Sequence, residues 1–126
     1  MRAHQYNPQY TVADYNMWDG DWELIDGYPY AMSPSATSRH QRIAGEIHYQ
    51  IKNKLNTTNP NCKDCEVFYE LDWIVNDNTV VRPDLVLVTH LTDKFITNPP
   101  TMIVELLSDA TAFKDRHLKY ELYQEH

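Results

Sequence analysis

Arg82-Pro83-Asp84-Leu85-Val86-Leu87-Val88 and Met102-Ile103-Val104-Glu105-Leu106-Leu107-Ser108 are the two runs on which the reading of this chain turns. Each is a short aliphatic stretch of strand character that carries one carboxylate. Asp84 opens the first run and Glu105 closes the apolar part of the second. A bare acid among aliphatic side chains is costly to bury unless a cation or a hydrogen-bond donor meets it. Two such acids on neighbouring strands are suited to share a divalent metal, with oxygen ligands that favour Mg²⁺ or Mn²⁺. Pro83 bends or bulges its strand, which lets Asp84 leave the pleat and face a cleft. The run 101–107, apolar apart from Thr101 and Glu105, reads as a central strand buried on both faces.

Working outward, Glu66 to Val75 is β-rich, and Asn76-Asp77-Asn78 turns it into Thr79-Val80-Val81-Arg82 as a hairpin. Before it, Ser33 to Ser38 is a loop of capping residues leading into a helix over 39–55. Ile43, Ile47, Ile51 and Leu55, with Ala44 and His48, form its apolar stripe. Gly45 at its centre suggests close packing against a neighbour. Glu46 borders the stripe and His40 stands in the first turn; each is either a flank residue or a side chain aimed into a cleft. Nearer the start, Trp22-Glu23-Leu24-Ile25-Asp26-Gly27-Tyr28-Pro29-Tyr30 is a hairpin. Asp26-Gly27 makes its turn and Pro29 places the second strand at a sheet edge. After Ser108 a helix over about 112–125 is expected. Asp115 and Lys119 lie four apart on it with the acid first, the favourable order for an intrahelical pair. Hairpin, helix, three strands and helix make an α+β (α/β sandwich) domain with a mixed central sheet.

Composition narrows the function. A chain of 126 residues is one domain by size, and its formal charge of −7 excludes a broad basic face for nucleic acid. It leaves room for a nuclease, because a metal site concentrates acids. No run approaches the roughly 20 apolar residues of a membrane span, and no secretion signal precedes the domain, so a cytoplasmic protein is expected. Cys62 and Cys65 form one isolated pair where zinc needs four ligands, and they read as two ordinary reduced thiols. A zinc site completed by histidines is the minor alternative. Arg39, Arg42, Lys52 and Lys54 on the first helix could touch phosphates, although a solvated helix face explains them more simply. Nothing resembles a base-reading element, so specific nucleic-acid-binding residues are unknown.

Several stretches recur together in one known family. They are Trp22 to Gly27, Ser33-Pro34, His40 to Ile47, Arg82-Pro83-Asp84, Val104 to Ser108, Asp115, Lys119-Tyr120 and Tyr123. Taken in order, they make the chain resemble the Uma-two family of bacterial restriction endonucleases, within the PD-(D/E)XK nuclease superfamily. The resemblance implies a restriction-endonuclease-like core and a metal-dependent endonuclease that hydrolyses DNA phosphodiester bonds. It places Asp84 and Glu105 on the two metal-binding acids, with Mg²⁺ or Mn²⁺ as cofactor. Lys119 becomes the catalytic lysine, supplied by the following helix because Leu107 stands where the superfamily has its lysine. Glu46 falls on the acid often supplied by the first helix, with His40 and Asp115 in support. The family pattern continues beyond the tyrosine-bearing helix, whereas the chain given stops at Gln124-Glu125-His126. The last core strand is therefore expected to be missing, leaving an edge beside 101–107 and favouring a homodimer. A catalytically inactive interaction module with the same fold is the competing reading, motivated by Leu107, the acidic balance and the short C-terminus.

Overall fold

The computed structural model describes residues 9–32, 37–57, 62, 64–106 and 119–126. Its elements in order are α1 (Val12–Tyr15), β1 (Trp22–Ile25), β2 (Tyr28–Ala31), α2 (Ser38–Thr57), β3 (Cys65–Tyr69), β4 (Trp73–Asn76), β5 (Thr79–Val81), β6 (Leu85–Thr89), β7 (Met102–Val104) and α3 (Tyr120–Glu125). The strands form two sheets, ordered β2-β1-β5-β4 and β3-β6-β7. The fold is α+β, as the pattern of elements predicts. The sheets are not mixed, however, because every paired strand runs antiparallel. The parallel contact is an isolated bridge between Trp73 and Ile96.

Local chemistry explains the first hairpin. Asp26 (φ 51°) and Gly27 (φ 84°) both take left-handed backbone, the requirement of a primed two-residue turn. Pro29 lies in β2, at the sheet's edge, where a missing amide donor costs no ladder bond. The helix over 39–55 is also present. It starts at Ser38, and Thr37 Oγ1 accepts the His40 amide at 3.1 Å. Its inner side is Ala44, Ile47, His48, Ile51 and Leu55, while Ile43 is exposed. His48 stacks on Tyr69 of β3 with ring centroids 4.3 Å apart. Gly45 has open space where a Cβ would stand, so close packing is not the reason for that glycine.

Two expectations fail for one reason. The run Glu66 to Val75 is not one strand: it breaks at Glu70, which adopts φ 42°, and its halves join different sheets. The chain then returns between the sheets at Arg82-Pro83-Asp84. Splitting the strands this way makes β6 the centre of its sheet, with Leu85, Val86 and Val88 buried. Correspondingly, β7 is an edge among the described strands and exposes Met102, so Met102–Val104 is not buried on both faces as expected.

The two crossings are tied together. The Glu70 amide donates to the Asp84 carbonyl at 3.2 Å, and Arg82 Nε donates to Asp72 Oδ1 at 2.7 Å. The core packed around them comprises Ile25, Trp73, Val81, Val86, Val88, Ile96 and Leu122. Leu122 brings α3 into that core; the expected start of the last helix, from residue 112, lies outside the described residues. Cys62 and Cys65 stand side by side at a Cα separation of 5.4 Å, a spacing within the range of a disulfide. Among the described residues no helix is long and apolar enough to cross a membrane.

Candidate active site

The site forms where β1, the second crossing, the end of β7 and α3 meet. The β6–β7 register pairs Leu85 with Val104, so one further step along each strand sets Asp84 opposite Glu105. Asp84 Oδ2 accepts the Leu106 amide at 2.7 Å, which fixes its carboxylate beside the strand that carries the second acid. On its other oxygen, Oδ1 lies 3.3 Å from His40 Nε2. The first turn of α2 therefore reaches the first acid.

Glu105 is met from the opposite side. The Lys119 ammonium pairs with Glu105 Oε2, and the Tyr123 hydroxyl donates to the same oxygen at 2.7 Å. Tyr123 is steadied by Trp73, with ring centroids 6.1 Å apart and planes inclined by 22°. Its ring also lies 6.0 Å from Lys119 Nζ, at the limit of cation–π attraction. Below Lys119 is Glu23, whose Oε2 accepts Lys119 Nζ at 2.8 Å and the Arg82 amide at 2.6 Å.

Burial runs in one direction through this set. The side chains of His40 and Asp84 are 24% and 18% exposed, Glu105 is 14% exposed, and Lys119 and Glu23 are 2% and 0% exposed. Solvent therefore reaches the paired acids, while the lysine and its second acid form the floor. Burial alone pulls the Lys119 ammonium pKa down, but the charges of Glu23 and Glu105 outweigh it and raise the pKa above the ordinary lysine value. Lys119 is thus a fixed cation.

Counted as ionised, three carboxylates against one ammonium leave two negative charges, the complement of one divalent cation. The residues fit Mg²⁺ or Mn²⁺ in kind. Among the described residues no three His, Cys, Asp or Glu side chains are grouped as a protein-only metal cage. Mg²⁺ needs none, since one or two carboxylates with water and substrate phosphate complete its shell. Asp84 and Glu105 are the residues that would hold such an ion.

The other sequence candidates fall elsewhere. Glu46 is exposed on α2 and accepts Gln50 Nε2 at 2.8 Å, so its recorded bond runs along the helix and not into the cluster. A glutamate one residue before an inward-facing isoleucine points sideways, and here sideways is solvent. Asp115 and Leu107 lie outside the described residues. Arg39, Arg42, Lys52 and Lys54 are exposed along α2. Glu23 is the residue that sequence reading overlooked. Its signal was present, since it is an acid between Trp22 and Leu24 in a strand otherwise made of apolar residues.

A second constellation lies beside the site. Arg82 NH1 donates to Asp21 at 2.9 Å while its Nε holds Asp72, and together these acids outweigh burial and raise the guanidinium pKa. The Tyr15 hydroxyl stands 3.0 Å from Asp72 Oδ2; burial and that carboxylate push the phenol's pKa up. Tyr15, Asp72 and Arg82 line a cavity of about 200 Å³ with Trp18, Trp22 and Phe95.

Comparison with known proteins bears on the family and the fold. No curated protein matches the chain significantly. A crystal structure described as a "putative nuclease belonging to DUF820 from Anabaena variabilis ATCC 29413" superposes with a TM-score of 0.75 at 16% identity, covering 92% of this chain and 68% of that one. At that identity the likeness shows the fold. The Uma2 family model, described as "Putative restriction endonuclease", matches residues 12–126. With nearly the whole chain matched, this protein belongs to the Uma2 family.

Proposed function

We propose that the chain is a divalent-metal-dependent endonuclease that hydrolyses phosphodiester bonds in DNA, with Mg²⁺ or Mn²⁺ held by Asp84 and Glu105. The observation that carries this reading is the cross-strand pair of acids with a buried ammonium on the second of them. A divalent ion supplies charge stabilisation at the phosphate and a water of lowered pKa. The protein's part is to hold the pieces. Asp84 is oriented by the Leu106 amide and by His40, and Glu105 by Tyr123 and Lys119. Lys119 sets a fixed positive charge next to the reacting phosphate, where pre-organised charge is worth more than in water. DNA approaches through its backbone, and the exposed bases of α2 are the available phosphate contacts.

Thermal unfolding with increasing Mn²⁺ tests the metal. A Tm that rises in the parent and stays flat in Asp84→Ala supports the site, because a ligand at about 100 times its Kd adds about 2.7 kcal/mol. Cleavage of single-stranded, duplex and branched DNA tests the reaction. Glu105→Ala should lose about 100-fold or more in kcat. No cleavage in any metal favours the inactive interaction module, a reading supported by the ion pair that already engages Glu105. We further propose that β7, an edge among the described strands, pairs with a second copy to form a homodimer.

A further inference from the structure

We infer that Glu23 is a positioning residue, which clamps the strand crossing that carries Asp84 to the amine that contacts Glu105. One buried oxygen makes both links. Glu23 Oε2 accepts the Arg82 amide, two residues before Asp84, at 2.6 Å, and Lys119 Nζ at 2.8 Å. The side chain is fully buried, so it does not touch substrate and acts only through its partners. Its catalytic meaning rests on the nuclease reading; its role as a clamp does not.

Neutralisation does not explain why the residue is there. Glu105 already balances the Lys119 charge, and a second carboxylate leaves this buried pair with a negative excess, which is costly. Direction does explain it. Lys119 is a flexible four-carbon stem with three donors and no fixed fork. Glu105 and Glu23 grip it from two sides, so the amine stays aimed when Glu105 is drawn toward a metal. The same oxygen pins the backbone that enters Pro83-Asp84, so first acid and amine keep one spacing. That spacing spans two sheets and a helix, none of which would fix it alone.

Three substitutions separate direction from charge. Glu23→Gln keeps an oxygen where both donors point and removes the charge. Glu23→Asp keeps the charge and withdraws it by one methylene. Glu23→Ala removes both. The first readout needs no activity: folded protein is treated briefly with an amine-reactive acetyl ester at one pH, and each lysine's labelling is read by peptide mass. Lys119 should be protected in the parent, labelled about tenfold faster in Glu23→Ala, less so in Glu23→Asp and least in Glu23→Gln, with exposed Lys52 and Lys94 as unchanged controls. If Glu23→Ala does not fold, the order of the Asp and Gln variants still decides the matter. Equal protection of Lys119 in all folded variants overturns the clamp, and greater protection in Asp than in Gln replaces it with a charge role.

The second readout is cleavage. Loss should fall on kcat with KM held, in the same order, and Glu23→Ala combined with Lys119→Ala should lose less than the product of the two single losses, because the two share the amine while only Glu23 also holds the Arg82 amide. Additive losses overturn the claim that Glu23 acts through Lys119. A parent that protects Lys119 and loses that protection on substitution, yet cuts nothing, supports the clamp and overturns the nuclease reading.

Discussion

At the scale of single residues, the site is dominated by the cost of burying charge. Lys119 is tolerated at 2% exposure because Glu105 balances its charge and Glu23 accepts a hydrogen bond from it; the charges of both raise its pKa above the ordinary 10.5. A raised folded-state pKa means that the folded form keeps its proton while the unfolded chain loses it. The stabilisation is therefore complete below pH 10.5 and is lost as pH climbs from there toward the raised value. Tyr15, also raised, acts in the same direction above its ordinary 10.0. Urea unfolding should show stability falling above pH 10.5, with Lys119 contributing a slope of about 1.4 kcal/mol per pH unit. Lys119→Met should remove that part of the slope, and Tyr15→Phe a further part. Arg82→Met should be costlier at neutral pH. It leaves Asp72, 8% exposed, as a buried carboxylate without its guanidinium, for a loss of about 3 kcal/mol in denaturant titration.

At the scale of elements, legibility followed the range of the causes. The first hairpin and α2 were readable because their signals are local, namely a two-residue turn of left-handed backbone and a helical period after a capping residue. Gly27→Ala should accordingly be destabilising by about 1–2 kcal/mol in thermal unfolding. Its added Cβ meets Gln9 Oε1 at 3.2 Å and the Gln9 Cα at 3.3 Å, besides straining a φ of +84°. The division of 66–75 between two sheets was not readable. Glu70 carries no turn signature, and its left-handed φ of 42° is imposed by the partners that Asp72 and the Glu70 amide find far along the chain. The acids Asp84 and Glu105 were visible as misfits in apolar runs. Glu23 was a misfit of the same kind, hidden in a hairpin whose turn explained the stretch too well. Glu46 went the other way, since a helical flank says nothing of what faces it.

At the scale of the molecule, two antiparallel sheets and α2 are brought together so that their seam is the site. Family membership and the superposed fold agree with the overall architecture. The seam also leaves β7 with β6 as its neighbour among the described strands, and with Met102 exposed. Sedimentation should show a homodimer at micromolar concentration. Ile103→Pro, which removes an edge amide, should shift it to monomer without abolishing Mn²⁺ stabilisation in the same preparation. A monomeric parent would remove the proposed edge pairing and leave the metal site untouched.

The bond between Glu23 and Lys119 joins residues 96 positions apart. Contacts of such long reach form late, because the chain between them must be ordered before they close. During synthesis the two strand acids leave the ribosome well before the lysine, so a nascent chain carries the acids without their amine. On the nuclease reading proposed above, stalled or prematurely terminated chains should consequently lack the activity. Pulse-chase sampling of arrested chains of increasing length should find cleavage only once Lys119 and the helix behind it have emerged.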